Sequence, residues 1–315
     1  MTIARITILG TTASIPTKHR NHPAIYLHYI GKDEHFFLFD CGEGTQRQIF
    51  KAGLNFMRIS SIFISHWHAD HFAGLFGMIE TMALENRKKP LYIFGPEADR
   101  FVPYILNLGY GKKPFNIITG SVSYTGSELE TLLDTNEFTI YSIPVNHGIP
   151  AVAYAFMEKD KIKIDKEKLS SLGLPKKSKK YKILKEKGEI EINGKKIMLE
   201  DVSYVKKGIK IVYSGDTKAC RNLIKIAKNA DCLIIDSTFF EEKPADWLEG
   251  RHHMNVKEAI ELGRKAEVKK LVLTHISRRY ANEKELIKVV KELTKNEKNM
   301  EVILARDLIE IKLKN

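Results

Sequence analysis

Three imidazoles and a carboxylate crowd into six positions of this chain, His66-Trp67-His68-Ala69-Asp70-His71. The apolar run Ile62-Phe63-Ile64 before them predicts a buried strand that delivers them to its end. Residues two apart on an extended chain point to the same side, so His66 and His68 can share one metal ion. Asp70 and His71 stand where the strand pattern gives way to a helical one, and can turn toward a second. Neutral imidazole with carboxylate is the donor set of Zn²⁺ and its borderline neighbours. A His-rich surface loop offers the same residue types, but it has no reason to follow a buried strand so directly. The pattern predicts a metal site.

Further strands end in residues of the same kind. The run 138–145 leads to His147, and 209–213 leads to Ser214-Gly215-Asp216-Thr217. The run 232–235 ends in Asp236, and 271–274 ends in His275. With His66, five predicted strands finish in a ligand-capable side chain, and strand ends at one sheet edge are where α/β proteins place their sites. Between them, short apolar runs at 6–9, 24–29, 36–39, 91–94 and 151–157 read as strands, and 45–51, 74–86 and 97–108 as helices. Leu75, Met78, Ile79 and Met82 recur at helical spacing and belong to the core. The whole is an α/β domain.

A chain of 315 residues with 43% hydrophobic content is long enough for a large core. No apolar run approaches membrane-spanning length, and the N-terminus enters a strand in place of a signal peptide. Cys41, Cys220 and Cys232 form no C-x-x-C pair, which predicts reduced thiols, a cytoplasmic setting and no sulfur ligands. The formal charge of +12 is concentrated: residues 159–187 carry twelve lysines against Asp160, Asp165, Glu167 and Glu186. A solvated Lys-rich loop is the plainer reading of such a stretch. Beside a metal site it suggests a polyanionic partner, because each neutralised phosphate releases counterions. The segment to about Glu200 is too charged to pack as core and predicts an arm projecting from the domain.

The chain resembles tRNase Z (RNase Z), the tRNA 3′-end endonucleases of the metallo-β-lactamase fold. The resemblance rests on Pro16-Thr17-Lys18-His19-Arg20-Asn21, Asp40-Cys41-Gly42-Glu43-Gly44-Thr45-Gln46 and the H-x-H-x-D-H block. It continues through Ser214-Gly215-Asp216-Thr217, Asp236-Ser237-Thr238-Phe239, His253 and Leu273-Thr274-His275-Ile276-Ser277. Two departures stand out. The family arm usually carries Gly-Pro where this chain has Lys177-Ser178-Lys179-Lys180, and the family often has Glu where Asp236 stands.

The resemblance implies an αββα sandwich spanning 1–315, with residues 159–200 as an inserted basic arm that binds tRNA. It implies two Zn²⁺ per subunit, one on His66, His68 and His147, the other on Asp70, His71 and His275, with Asp216 between them. Three unshared ligands per ion and one shared carboxylate leave a bridging position open, as counting alone also allows. The implied reaction removes the 3′ trailer of precursor tRNA by attack of a metal-bridging hydroxide. It leaves a tRNA 3′-hydroxyl and a trailer 5′-phosphate. Asp70 would orient the nucleophile or take its proton, and His253, backed by Asp236, would protonate the departing oxygen. His252 is an adjacent alternative to His253; the His253-Met254-Asn255 run fits the family position better. Lys18, Arg20, Lys176, Lys177, Lys179 and Lys180 are candidate substrate contacts, and a homodimer is implied. A small-ester hydrolase on the same fold would share the ligands but have no use for the arm. A non-catalytic RNA-binding relative would be expected to lose ligands, and none is missing.

Overall fold

The computed structural model describes residues 2–109, 111–173, 175, 178, 180–192, 194–240 and 252–315. It consists of two compact units, 1–157 with 209–315, and 158–208. The first half of the larger unit supplies β1 (Ile3–Gly10), β2 (Thr12–Ala13), β3 (Ala24–Ile30), β4 (Glu34–Phe39) and β5 (Ser61–Phe63). Then come β6 (Leu91–Gly95), β7 (Ile117–Ser121), β8 (Glu130–Asp134), β9 (Phe138–Pro144) and β10 (Val152–Glu158). The smaller unit holds β11 (Lys161–Ile164), β12 (Glu189–Ile192), β13 (Lys195–Met198) and β14 (Ser203–Lys206). The remainder is β15 (Lys210–Tyr213), β16 (Cys232–Asp236), β17 (Lys270–Thr274), β18 (Ile276–Ser277), β19 (Glu301–Leu304) and β20 (Ile309–Lys314).

Two seven-stranded sheets result, ordered β20-β1-β3-β4-β5-β6-β7 and β19-β17-β16-β15-β10-β9-β8. In each, strands at one end run antiparallel and strands at the other run parallel. Period-2 alternation builds the layers, since successive side chains of a strand face opposite ways. Ile25, Leu27 and Tyr29 of β3 enter the cluster between the sheets, while Ala24 and Tyr26 enter the cluster under the helices Thr45–Lys51, Leu75–Leu84 and Ala98–Leu106. Likewise Cys232 and Ile234 face inward, and Leu233 and Ile235 face the helices Arg221–Ala227, Val256–Lys265 and Glu283–Leu293. Strands buried on both faces explain the continuous apolar runs of the sequence. Helices thus cover the outer face of each sheet, an αββα sandwich. The edge strands β7, β8, β19 and β20 carry mixed patterns and lay outside the sequence reading.

Burial pushes the thiols of Cys41 and Cys232 up to about 12, which leaves them inert packing groups. No helix among the described residues is long and apolar enough to cross a membrane.

The segment read as an arm too charged to pack as core falls in the 158–208 unit, which has a small core of its own. β11 pairs with β14 and β12 with β13, each antiparallel. Leu169, Leu184 and Val202 are fully buried in a cluster with Tyr181, Ile192 and Ile197. The described lysines therefore decorate a small folded unit with its own core. The apolar residues that build it are spread thinly over the helices Lys166–Ser171 and Lys180–Lys187 and the strands, so no local window shows them. Lys176, Lys177 and Lys179 lie outside the described residues; Lys180 opens the second helix and is exposed.

Candidate metal centre

All five strand-end residues come together, but across two sheets, not along one. β5 supplies His66, a short way past its end, whereas His147, Asp216, Asp236 and His275 follow or close β9, β15, β16 and β17. The short helix Ala69–Phe72 then turns Asp70 and His71 inward. Close backbone packing makes this possible. A Cβ on Gly42 would meet the Asp70 carbonyl at 2.1 Å, and one on Gly215, whose φ is +57°, would meet Ser65 Cβ at 2.7 Å.

Two ligand clusters share this space. His68 Nδ1 lies 3.1 Å from both His66 Nε2 and His147 Nε2. Asp70, His71 and His275 form the other group, with Asp70 Oδ2 3.5 Å from Nε2 of each imidazole. Asp216 Oδ2 stands between the groups, 3.6 Å from His66 Nε2, 3.2 Å from His71 Nε2 and 3.1 Å from His275 Nε2. Ligands held about 2.0–2.1 Å from a tetrahedral Zn²⁺ sit about 3.3 Å from one another, so these separations suit such an ion.

The hydrogen bonds behind the imidazoles fix which nitrogen faces inward. Ser65 Oγ donates its proton to Asp40 Oδ2 at 2.9 Å, so it accepts from His66 Nδ1 at 3.0 Å. His71 Nδ1 donates to Asp40 Oδ2 at 2.7 Å, and His147 Nδ1 to the His252 carbonyl at 3.1 Å. Thr238 Oγ1 donates to Asp236 Oδ1 at 2.7 Å and accepts from His275 Nδ1 at 2.8 Å. In all four rings Nδ1 is occupied and Nε2 turns inward, which leaves Nε2 available to a metal. Nε2 of His71, Nε2 of His275 and Oδ1 of Asp216 are buried and have no hydrogen-bond partner among the described residues. Buried polar atoms without partners are costly unless a ligand satisfies them. The residues fit a divalent cation.

Electrostatics divides the rings. Burial, reinforced by neighbouring imidazoles, holds His66 well below its ordinary pKa. Burial likewise takes His147 down to about 4, against the opposing pull of Asp216. For His71 and His275 burial also opposes charge, but the surrounding carboxylates outweigh it, led by Asp216; both are raised, His275 to about 10. That half of the site demands positive charge, which a bound cation supplies as well as protons do. His253 Nδ1 donates to Asp236 Oδ2 at 2.8 Å. Against burial, Asp236 raises the pKa of His253.

A cleft of about 540 Å³ opens over the cluster, lined among others by Ile15, His68, His147, Phe239, His253 and Arg278. His252 lines it too, but its carbonyl is the group that holds His147. Lys18 is exposed. Arg20 instead braces the fold, its Nη1 donating to Thr11 Oγ1 and to the Ala305 carbonyl, both at 2.8 Å. Sequence reasoning assigned no role to Asp40, Ser65, Thr238 or the exposed Arg278. A non-glycine residue in Asp-Cys-Gly just after a strand was the available signal for Asp40, which adopts φ +56°.

Sandwich and metal cluster together are those of a metallo-β-lactamase-fold protein. The profile described as "Beta-lactamase superfamily domain" matches residues 196–276, and the one described as "Anti-Pycsar protein Apyc1" matches residues 4–147. The metallo-β-lactamase-fold protein YhfI of Bacillus subtilis superposes with TM-score 0.66 at 18% identity, over 99% of this chain and 100% of that one. Human tRNase Z, short form, superposes with TM-score 0.69 at 25% identity over 98% of each chain. Ribonuclease Z of Methanococcus maripaludis strain C5 is 38% identical over 98% of both chains. That of Thermococcus onnurineus is 42% identical over 90% of this chain and 88% of its own. This chain belongs to the ribonuclease Z family. Fold family and ligand clusters together imply divalent metal binding.

Proposed function

We propose that this protein is the endoribonuclease that removes the 3′ trailer from precursor tRNA, leaving a 3′-hydroxyl on the tRNA and a 5′-phosphate on the trailer. What carries the reading is the convergence of the seven residues that the family resemblance implies as ligands, in a chain of the ribonuclease Z family. His66, His68 and His147 would hold one Zn²⁺ and Asp70, His71 and His275 a second, with Asp216 available to both. Bound there, such ions lower the pKa of water toward neutrality and polarise a phosphoryl oxygen. The chain's own groups do the rest. Asp70, its Oδ2 fixed by the Ser14 amide at 2.8 Å, orients the attacking water or accepts its proton. His253, held by Asp236, faces the cleft and donates a proton to the departing 3′ oxygen. Arg278 and Lys18 offer cations to flanking phosphates, and the lysines of 159–200 to the tRNA body.

Incubation with a tRNA bearing a 3′ trailer, followed by mapping of both new ends, tests the proposal. Cleavage at the 3′ side of the mature tRNA, abolished by chelation and restored by Zn²⁺, is expected. Hydrolysis of small phosphodiesters with no cleavage of the precursor would overturn it. By analogy with the family, the enzyme is cytoplasmic and a homodimer in which one subunit's basic unit grips the tRNA cut by the other. Sedimentation showing a fully active monomer would refute that assembly.

A further inference from the structure

Asp307 is not among the residues that face the metal clusters, yet the segment bordering them is fastened to its carboxylate. Thr11 Oγ1 donates to Oδ1 at 2.6 Å, while the Asn21 amide and Gln48 Nε2 donate to Oδ2 at 2.7 and 2.9 Å. Thr11 and Asn21 are the two feet of loop 11–21. The Asn21 carbonyl accepts the amides of Thr11 and Thr12 at 2.9 and 3.0 Å. Arg20 clamps the same Thr11 hydroxyl from the other side.

Two candidate ligands of a single ion depend on this loop. The Thr11 carbonyl accepts the amide of Ile276, the residue after His275, at 2.8 Å, and β2 pairs with β18 there. Three residues on, the Ser14 amide donates to Asp70 Oδ2 at 2.8 Å from a backbone at φ +55°. His275 itself sits at φ +58°, a conformation that its surroundings must enforce. By contrast, His66 and His147 are oriented by Ser65 and by the His252 carbonyl. One anchor thus bears on the Asp70–His71–His275 cluster through both of its outer members.

We propose that Asp307 is a positioning residue for the Asp70–His71–His275 metal locus, acting through Thr11 and the loop it fastens. The proposal rests on the two-metal reading above. Asp307→Asn places an amide donor against groups that already donate, and Thr11→Val removes the hydroxyl at nearly constant shape. Thr11→Ser keeps the hydroxyl.

Metal-free protein is titrated with Zn²⁺ against a chromophoric chelator, which separates the affinities of the two ions. Asp307→Asn and Thr11→Val should each weaken one ion about 10–100-fold, as loss of a group supporting metal ligands commonly does, and leave the other unchanged. Thr11→Ser should bind both as the parent does. On a His68→Ala background, which disables the other locus, Asp307→Asn should weaken the ion that remains. Equal weakening of both ions, no weakening, or loss of the folded metal-free protein in both variants (followed by thermal unfolding) would overturn the proposal. A parent that takes up only one ion would overturn the two-metal reading instead.

Discussion

Asp40 Oδ2 accepts the Nδ1–H of His71 at 2.7 Å, from a residue whose backbone is held in the left-handed region. The same oxygen takes the Tyr213 hydroxyl at 2.6 Å and Ser65 Oγ at 2.9 Å, and Oδ1 takes the Ser65 amide at 2.7 Å. Asp40 therefore sets the tautomer of His71 directly and that of His66 through Ser65. Asp40→Asn keeps the shape but turns an NH₂ toward groups that donate. Zn²⁺ affinity should fall about 10–100-fold, measured by chelator competition. An unchanged affinity would mean that the carboxylate serves only packing.

Removing the shared carboxylate should do more. Asp216→Ala deletes an oxygen that lies within 3.6 Å of Nε2 of His66, His71 and His275. Elemental analysis should find fewer than two Zn²⁺ per chain, and trailer cleavage should fall below detection. Filter binding to precursor tRNA should persist, because the lysines of 159–187 are untouched.

His253 donates to Asp236 and lines the cleft without being a candidate ligand of either three-residue group. If it protonates the departing oxygen, His253→Ala should lower kcat on precursor tRNA about 10²–10⁴-fold, with metal content intact. A diester with a nitrophenolate leaving group needs no such proton, and its hydrolysis should drop far less. Equal losses on both substrates would assign His253 to holding the site together.

Charge on the basic unit should govern RNA binding and not the chemical step. Replacing Lys176, Lys177, Lys179 and Lys180 with Ala should weaken precursor binding and flatten its salt dependence by up to about 0.9 log units per lost phosphate contact. Hydrolysis of a small chromogenic diester should be unchanged. Indifference of both substrates would show that these lysines are merely solvated.

The core of the 158–208 unit gives an independent test. Leu184 is fully buried against Leu169 and Val202. Leu184→Ala should cost that unit about 2–5 kcal/mol, enough to open it locally. Hydrogen exchange should rise within 158–208 alone, with precursor binding lost and small-diester hydrolysis kept. Exchange rising across both sheets would mean that the unit does not fold on its own.

Much of the metal centre was legible because its ligands come from strand ends, and buried strands announce themselves as apolar runs. His66, His147, Asp216 and His275 each close or follow such a run. What escaped notice is held by geometry that no local pattern encodes. Asp40 and Thr238 act on histidines distant in sequence, and the bonds of Arg20 to Thr11 and Ala305 join segments that no local window connects. Edge strands such as Ile117–Ser121, with Thr and Gly in five residues, lack alternation strong enough to read. The small core of the inserted unit was not legible because its few apolar residues are diluted by lysine.

The pairing of β2 with β18 has a consequence for how the protein comes into being. His66 and Asp70 leave the ribosome well before His275 and the strand that anchors it. Contacts so distant in sequence form late, after loop-closure entropy has been overcome. A nascent chain therefore cannot assemble the Asp70–His71–His275 cluster until His275 has been made and β18 has paired with β2. Chains that still lack His275 would carry the H-x-H-x-D-H motif but only part of the cluster.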